Sequence, residues 1–122
     1  MADVDPPILI LDRRIAQDAL RVLVAHWFKD MVKYVADVER DCIAIGGELH
    51  ADAEQVLIDA GSRQQDLWGA NYYPGRGRDG CVECTSLINI SPARGNRGME
   101  VADPALRARI QSLAWSLIGE GE

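Results

Sequence analysis

The apolar residues change period along this chain. Ile15, Ala19, Val22, Leu23 and Trp27 recur at helical spacing, and so do Leu106, Ile110, Leu113, Leu117 and Ile118 towards the other end. Between these stretches Tyr34, Ala36 and Val38 alternate with Lys33, Asp37 and Glu39, the pattern of a half-buried strand. Two periods in one short chain point to an α+β fold.

The remaining elements follow from local chemistry. Pro6-Pro7 ends a flexible lead over residues 1–7, and Ile8-Leu9-Ile10-Leu11 reads as a short buried strand or an extended arm. Asp12 is expected to cap a helix over 13–28. Arg40-Asp41 is expected to turn a hairpin whose second strand runs from Cys42 to Glu48. A symmetric hairpin puts Val38 and Ile43 on the core face. Lys33, Asp37, Ala44 and Glu48 share the other, with Lys33 directly opposite Glu48. Asp52 would cap a short helix from Ala53 to Ala60, stopped by Gly61. A strand from Leu67 to Tyr73, a glycine-rich loop and a returning strand from Val82 to Ile90 come next, with Val82, Ile88 and Ile90 available to the core. Asp103-Pro104 then caps a helix over 104–118. The order is β-α-β-β-α-β-β-α in a single domain. Adjacent hairpins imply a mainly antiparallel sheet with the helices packed on one face.

Composition bounds the function. The 122 residues suit one core, and 48% apolar content supports one. A net charge of -6 argues against sequence-independent binding to nucleic acid or to an anionic membrane. No apolar run approaches the roughly 18 residues of a membrane span, and the acidic start lacks the basic region of a signal peptide. A cytoplasmic protein is expected. Its three cysteines, Cys42, Cys81 and Cys84, are then reduced thiols.

Two stretches combine glycine with acid: Gly46-Gly47-Glu48-Leu49-His50-Ala51-Asp52 and Gln65-Asp66-Leu67-Trp68-Gly69-Ala70-Asn71. On an extended backbone Glu48, His50 and Asp52 would share one face. Glu48 and His50 are the candidate acid–base pair. The same trio could hold a divalent metal, but a Lys33–Glu48 ion pair and an Asp52 cap explain the carboxylates, and no metal ligands are assigned. Asp66, Trp68 and Asn71 are candidate ligand-binding residues, an apolar wall with donors and acceptors beside it. Arg94 and Arg97, in the loop from Ser91 to Gly98, suit an anion, although the loop is no P-loop. Asn89 and Asn96 join this ligand-binding set. Cys81-Val82-Glu83-Cys84 has the gap of a redox or zinc motif, yet it opens a strand and lacks a second pair.

These stretches, with Asp30-Met31-Val32-Lys33, Gly61-Ser62, Asn71-Tyr72-Tyr73-Pro74, Ile88-Asn89-Ile90-Ser91-Pro92 and Gly95-Asn96-Arg97, resemble an uncharacterised bacterial and archaeal domain-of-unknown-function family. The resemblance covers most of the chain from Asp30 to Arg97 and implies no activity and no cofactor.

Three functions compete. One is a module binding a small molecule or anion near the Gly47–Asp52 turn. Another is a small acid–base or metal-assisted hydrolase using Glu48 and His50. The last is an interaction or homo-oligomer domain in which Trp27, Tyr72, Tyr73 or Trp115 packs across subunits.

Overall fold

A computed structural model describes residues 4–122. Strand β1 (Leu9–Leu11) precedes helix α1 (Gln17–Trp27), and strands β2 (Val32–Asp37) and β3 (Cys42–Ile45) form a hairpin. Helix α2 (His50–Asp59), strands β4 (Leu67–Tyr72) and β5 (Val82–Glu83) and helix α3 (Pro104–Leu117) follow. The strands form one sheet in the order β1-β3-β2-β4-β5, with every neighbouring pair antiparallel. The expected class and element order are both present. No helix among the described residues is long and apolar enough to cross a membrane.

The helices, however, divide between the two faces of the sheet. Tyr34, Ala36, Ile43, Ile45 and Ala70 pack with Leu20 and Leu23 of α1 and with Ile110, Leu113 and Leu117 of α3. Val35, Ala44 and Leu67 pack on the opposite face with Ala53 and Leu57 of α2. One helical layer would have left this second apolar set in water. Tyr34 is fully buried, and its hydroxyl donates to the Ile110 carbonyl at 3.0 Å, tying β2 to α3.

The β2–β3 turn is longer than Arg40-Asp41. Asp37 faces Cys42 and Ala36 faces Ile43, so residues 38–41 all lie in the loop. Two added loop residues preserve the side-chain alternation, and Val38 and Ile43 still face the same core. The register nevertheless slides by two. Lys33 lies across from Gly46, whose N–H donates to its carbonyl at 2.9 Å, and the expected Lys33–Glu48 pair does not form. Buried Asp37 organises the turn, accepting the N–H groups of Glu39 and Arg40 at 3.0 and 2.9 Å and the Ser62 hydroxyl at 2.5 Å.

Several predicted boundaries move. The N-cap position of α1 falls at Ala16, so Asp12 does not cap it. Helix α2 begins three residues before Ala53, with Leu49 at its N-cap position and Asp52 inside its first turn. Gly61 ends α2 as expected. Its N–H and that of Ser62 donate back to Ile58 and Leu57, the bonds of a Schellman motif. Asp103 caps α3 as expected, accepting from Ala105 N–H at 2.9 Å. In the predicted lead, residues 1–3 lie outside the described residues, and Asp5 bonds to the His26 ring at 2.8 Å.

The predicted strand Val82–Ile90 stops at Glu83. The chain then leaves the sheet. Ser86 N–H donates to the Met99 carbonyl, and Val101 N–H donates to that of Cys84. A single 3₁₀ turn over Leu87–Asn89 begins where Ser86 Oγ accepts the Ile88 N–H. Ile90 is 45% exposed while Asn89 is fully buried, the reverse of the strand expectation.

Candidate functional site

A cleft of about 320 Å³ opens on the second face, between the start of α2 and the segment Thr85–Ile88. Backbone geometry creates it. Gly46 and Gly47 take φ of +112° and +87°, which only glycine adopts readily, and swing the chain from β3 into α2. A Cβ on Gly69 would lie 2.6 Å from Ser86 Cβ and 3.1 Å from His50 Cδ2, so glycine is what lets these two residues approach β4.

His50 forms one wall. The side chain is buried, and its Nε2 lies 2.8 Å from the Ala70 carbonyl oxygen. A carbonyl only accepts, so Nε2 carries the proton. Burial holds the imidazole pKa below its ordinary 6.5. The Ala70 bond opposes this, the Lys33 charge adds to it, and a hydrogen bond to the Asn71 side chain, open to the imidazolium but not to the neutral ring with its one proton on Nε2, opposes it more weakly. His50 is therefore neutral at physiological pH and bridges α2 to β4.

Asn71 contributes to the same cleft. Its Nδ2 donates to Glu83 Oε1 at 2.9 Å, whereas its Oδ1 is buried without a hydrogen-bond partner. Lys33 is the cleft's lone cation and forms no ion pair among the described residues; its Nζ sits 5.0 Å from the centre of the Phe28 ring. The remaining lining is largely hydrocarbon. Leu49, Leu87 and Met99 stay 54%, 70% and 42% exposed at the cleft, an unusual clustering of large apolar side chains in water.

The other nominated residues do not converge here. Residues 48–52 are not extended, so Glu48, His50 and Asp52 do not share a face. Glu48 is exposed, lies outside the cleft lining and makes no hydrogen bond to His50 among the described residues. Trp68 and Asn71 have opposite parity on β4. Trp68 enters the α1/α3 core, and Asp66 accepts from Arg63 Nε at 3.2 Å.

Asn89, Asn96 and Arg94 are occupied with the protein's own backbone. The Asn89 amide serves both polar groups of Gly69 and also donates to the Met99 carbonyl. Asn96 Nδ2 lies within 3.0 Å of the carbonyls of Asn89, Gly98 and Glu100, and its Oδ1 accepts the Ala102 N–H. Arg94 stacks 3.7 Å above the Trp68 ring and donates to the carbonyls of Leu67 and Ile88 at 2.8 and 3.2 Å, which commits the donors expected for an anion. Arg97 is exposed. The three cysteines are free thiols. Burial pushes each pKa up, that of Cys84 to about 11, so none is a ready thiolate.

A family model described as a protein of unknown function (DUF5674) matches residues 9–117. That range runs from the first residue of β1 to the last of α3. The chain belongs to the DUF5674 family. No curated protein and no solved structure matches it. Within this DUF5674 domain, sequence reasoning missed Lys33, Ser86, Leu87 and Met99 as cleft residues. Their convergence depends on the chain leaving the sheet after Glu83, and no local pattern marks that departure. Asn71 alone of the predicted ligand-binding set lines the cleft, beside His50 of the predicted acid–base pair.

Proposed function

We propose that this domain binds a small organic molecule in the cleft between α2 and the Thr85–Ile88 segment. The observation that carries the reading is Asn71 Oδ1, a buried acceptor with no donor, in a cleft with Leu49, Leu87 and Met99 exposed along it. An unpaired buried acceptor costs about 1–3 kcal/mol, which a ligand N–H or O–H would recover. The exposed hydrocarbon would recover more by covering an apolar body. His50, with its Nε2–H committed to Ala70, acts in this reading as a wall that holds α2 in place.

The test is an NMR titration with 4-methylpentan-1-ol and with its methyl ether, which keeps the hydrocarbon and lacks the donor. The alcohol should shift the amide signals of Ala51, Asn71 and Leu87 and bind more tightly than the ether. Equal affinities, or shifts confined to other parts of the molecule, would refute this reading.

A further inference from the structure

The charge around this cleft is unlike that of the chain as a whole. The protein has 19 acidic residues against 13 lysines and arginines, yet the cleft is lined by one lysine and no carboxylate. Glu83 stands directly across from Asn71 on β5, outside the lining, and its Oε1 accepts a hydrogen bond from Asn71 Nδ2 at 2.9 Å. Lys33 is half-buried in the lining and unpaired among the described residues, so its charge awaits a counterion.

Beside it, α2 starts without a side-chain cap, because Leu49 occupies the N-cap position. The N–H groups of His50 and Ala51 have no intrahelical acceptor, and both residues line the cleft. A helix start carries partial positive charge and favours an anion. The independent sign of a ligand is Asn71, 93% buried by its 7% exposure, with Oδ1 unpartnered in the same lining.

We infer that the ligand of this cleft is a small carboxylic acid with an apolar tail and a hydroxyl or amino donor on the carbon next to the carboxylate. The inference rests on the small-molecule reading above and adds the charged end. The carboxylate lies between Lys33 Nζ and the first turn of α2. The neighbouring donor reaches Asn71 Oδ1, and the tail lies along Leu49, Leu87 and Met99. Inorganic phosphate would match Lys33 and the helix start but would leave the apolar residues uncovered.

The experiment compares 2-hydroxy-4-methylpentanoate with 4-methylpentane-1,2-diol, which replaces the carboxylate by an alcohol, on the wild-type protein by NMR titration. The acid should bind at least about fivefold more tightly and move the His50 and Ala51 amide signals most. Lys33→Gln should remove that preference, and raising the salt concentration should reduce it. Leucine in place of the hydroxy acid tests the amino donor. If the diol binds as tightly as the acid, or if folded Lys33→Gln keeps the preference, the carboxylate inference is overturned while the small-molecule reading stands. If neither compound perturbs the cleft, both fall.

Discussion

Asn89 pairs with Gly69 much as one strand pairs with its neighbour. Its Oδ1 accepts the Gly69 N–H at 2.8 Å, and its Nδ2 donates to the Gly69 carbonyl at 2.9 Å. Both backbone groups are buried under it. Asn89→Ala should therefore cost about 2–4 kcal/mol in urea unfolding, since two buried groups lose their partners. Asn89→Asp is a sharper test. Its carboxylate keeps the acceptor but sets a negative charge against the Gly69 carbonyl. The loss should shrink when the aspartate is protonated near pH 4, and a loss independent of pH would contradict this account.

Gly69 and Ser86 should be energetically coupled. A Cβ at Gly69 would sit 2.6 Å from Ser86 Cβ and 2.7 Å from its Oγ. Gly69→Ala should cost about 1–3 kcal/mol through overpacking. The same substitution should cost clearly less in a Ser86→Gly background, although Ser86→Gly itself removes the bond to Ile88 N–H. A double-mutant cycle measures the difference. Additive losses would mean that the two residues do not collide.

His50 makes stability depend on pH. Burial lowers its folded-state pKa from 6.5. The unfolded chain therefore takes up a proton at higher pH than the folded one. The stability from neutral, buried His50 is complete above the unfolded value. It declines as pH falls through 6.5 towards the folded pKa, and below that it stops changing. His50→Gln should flatten the unfolding free energy across this window. It should also lower stability at pH 8 if glutamine fails to reach Ala70.

The two arginines of the 91–98 loop should behave differently. Arg94→Ala removes a stacked, half-buried guanidinium and its bonds to carbonyls, and should cost about 1–3 kcal/mol by thermal unfolding. Exposed Arg97→Ala should change stability by less than about 0.5 kcal/mol. Comparable losses in the two variants would show that Arg97 has a structural partner of its own.

These residues show what the sequence made legible and what it hid. The switch between helical and alternating periods located the first and last helices and the hairpin, because both patterns are local. The cap at Asp103 and the stop at Gly61 were legible because each satisfies backbone groups a few residues away. The α2 helix of the second face was readable as a helix but not as a second layer. Val35 and Ala44 gain their partners from Ala53 and Leu57, which are distant in sequence. The failure at residues 84–90 has a different cause. Ile88 and Ile90 flank Asn89 as a strand would, and only the bonds from Asn89 to Gly69, twenty residues away, reveal that the asparagine points inward. The candidate site suffered the same way. His50 and Asn71 were visible as polar residues beside glycines, but Lys33, Leu87 and Met99 join them only through long-range packing.

The outer edge of β4 carries three different kinds of partner in succession. Asn71 pairs with Glu83 of β5, Gly69 bonds to the Asn89 amide, and the Leu67 carbonyl accepts a hydrogen bond from Arg94. Two-thirds of that edge is thus sealed by side chains that carry no further peptide groups. A regular strand there would have presented a new ladder to solvent, open to recruitment of another chain. Here the sheet cannot be templated onward past Gly69, and protection from edge-to-edge aggregation comes from an amide and a guanidinium.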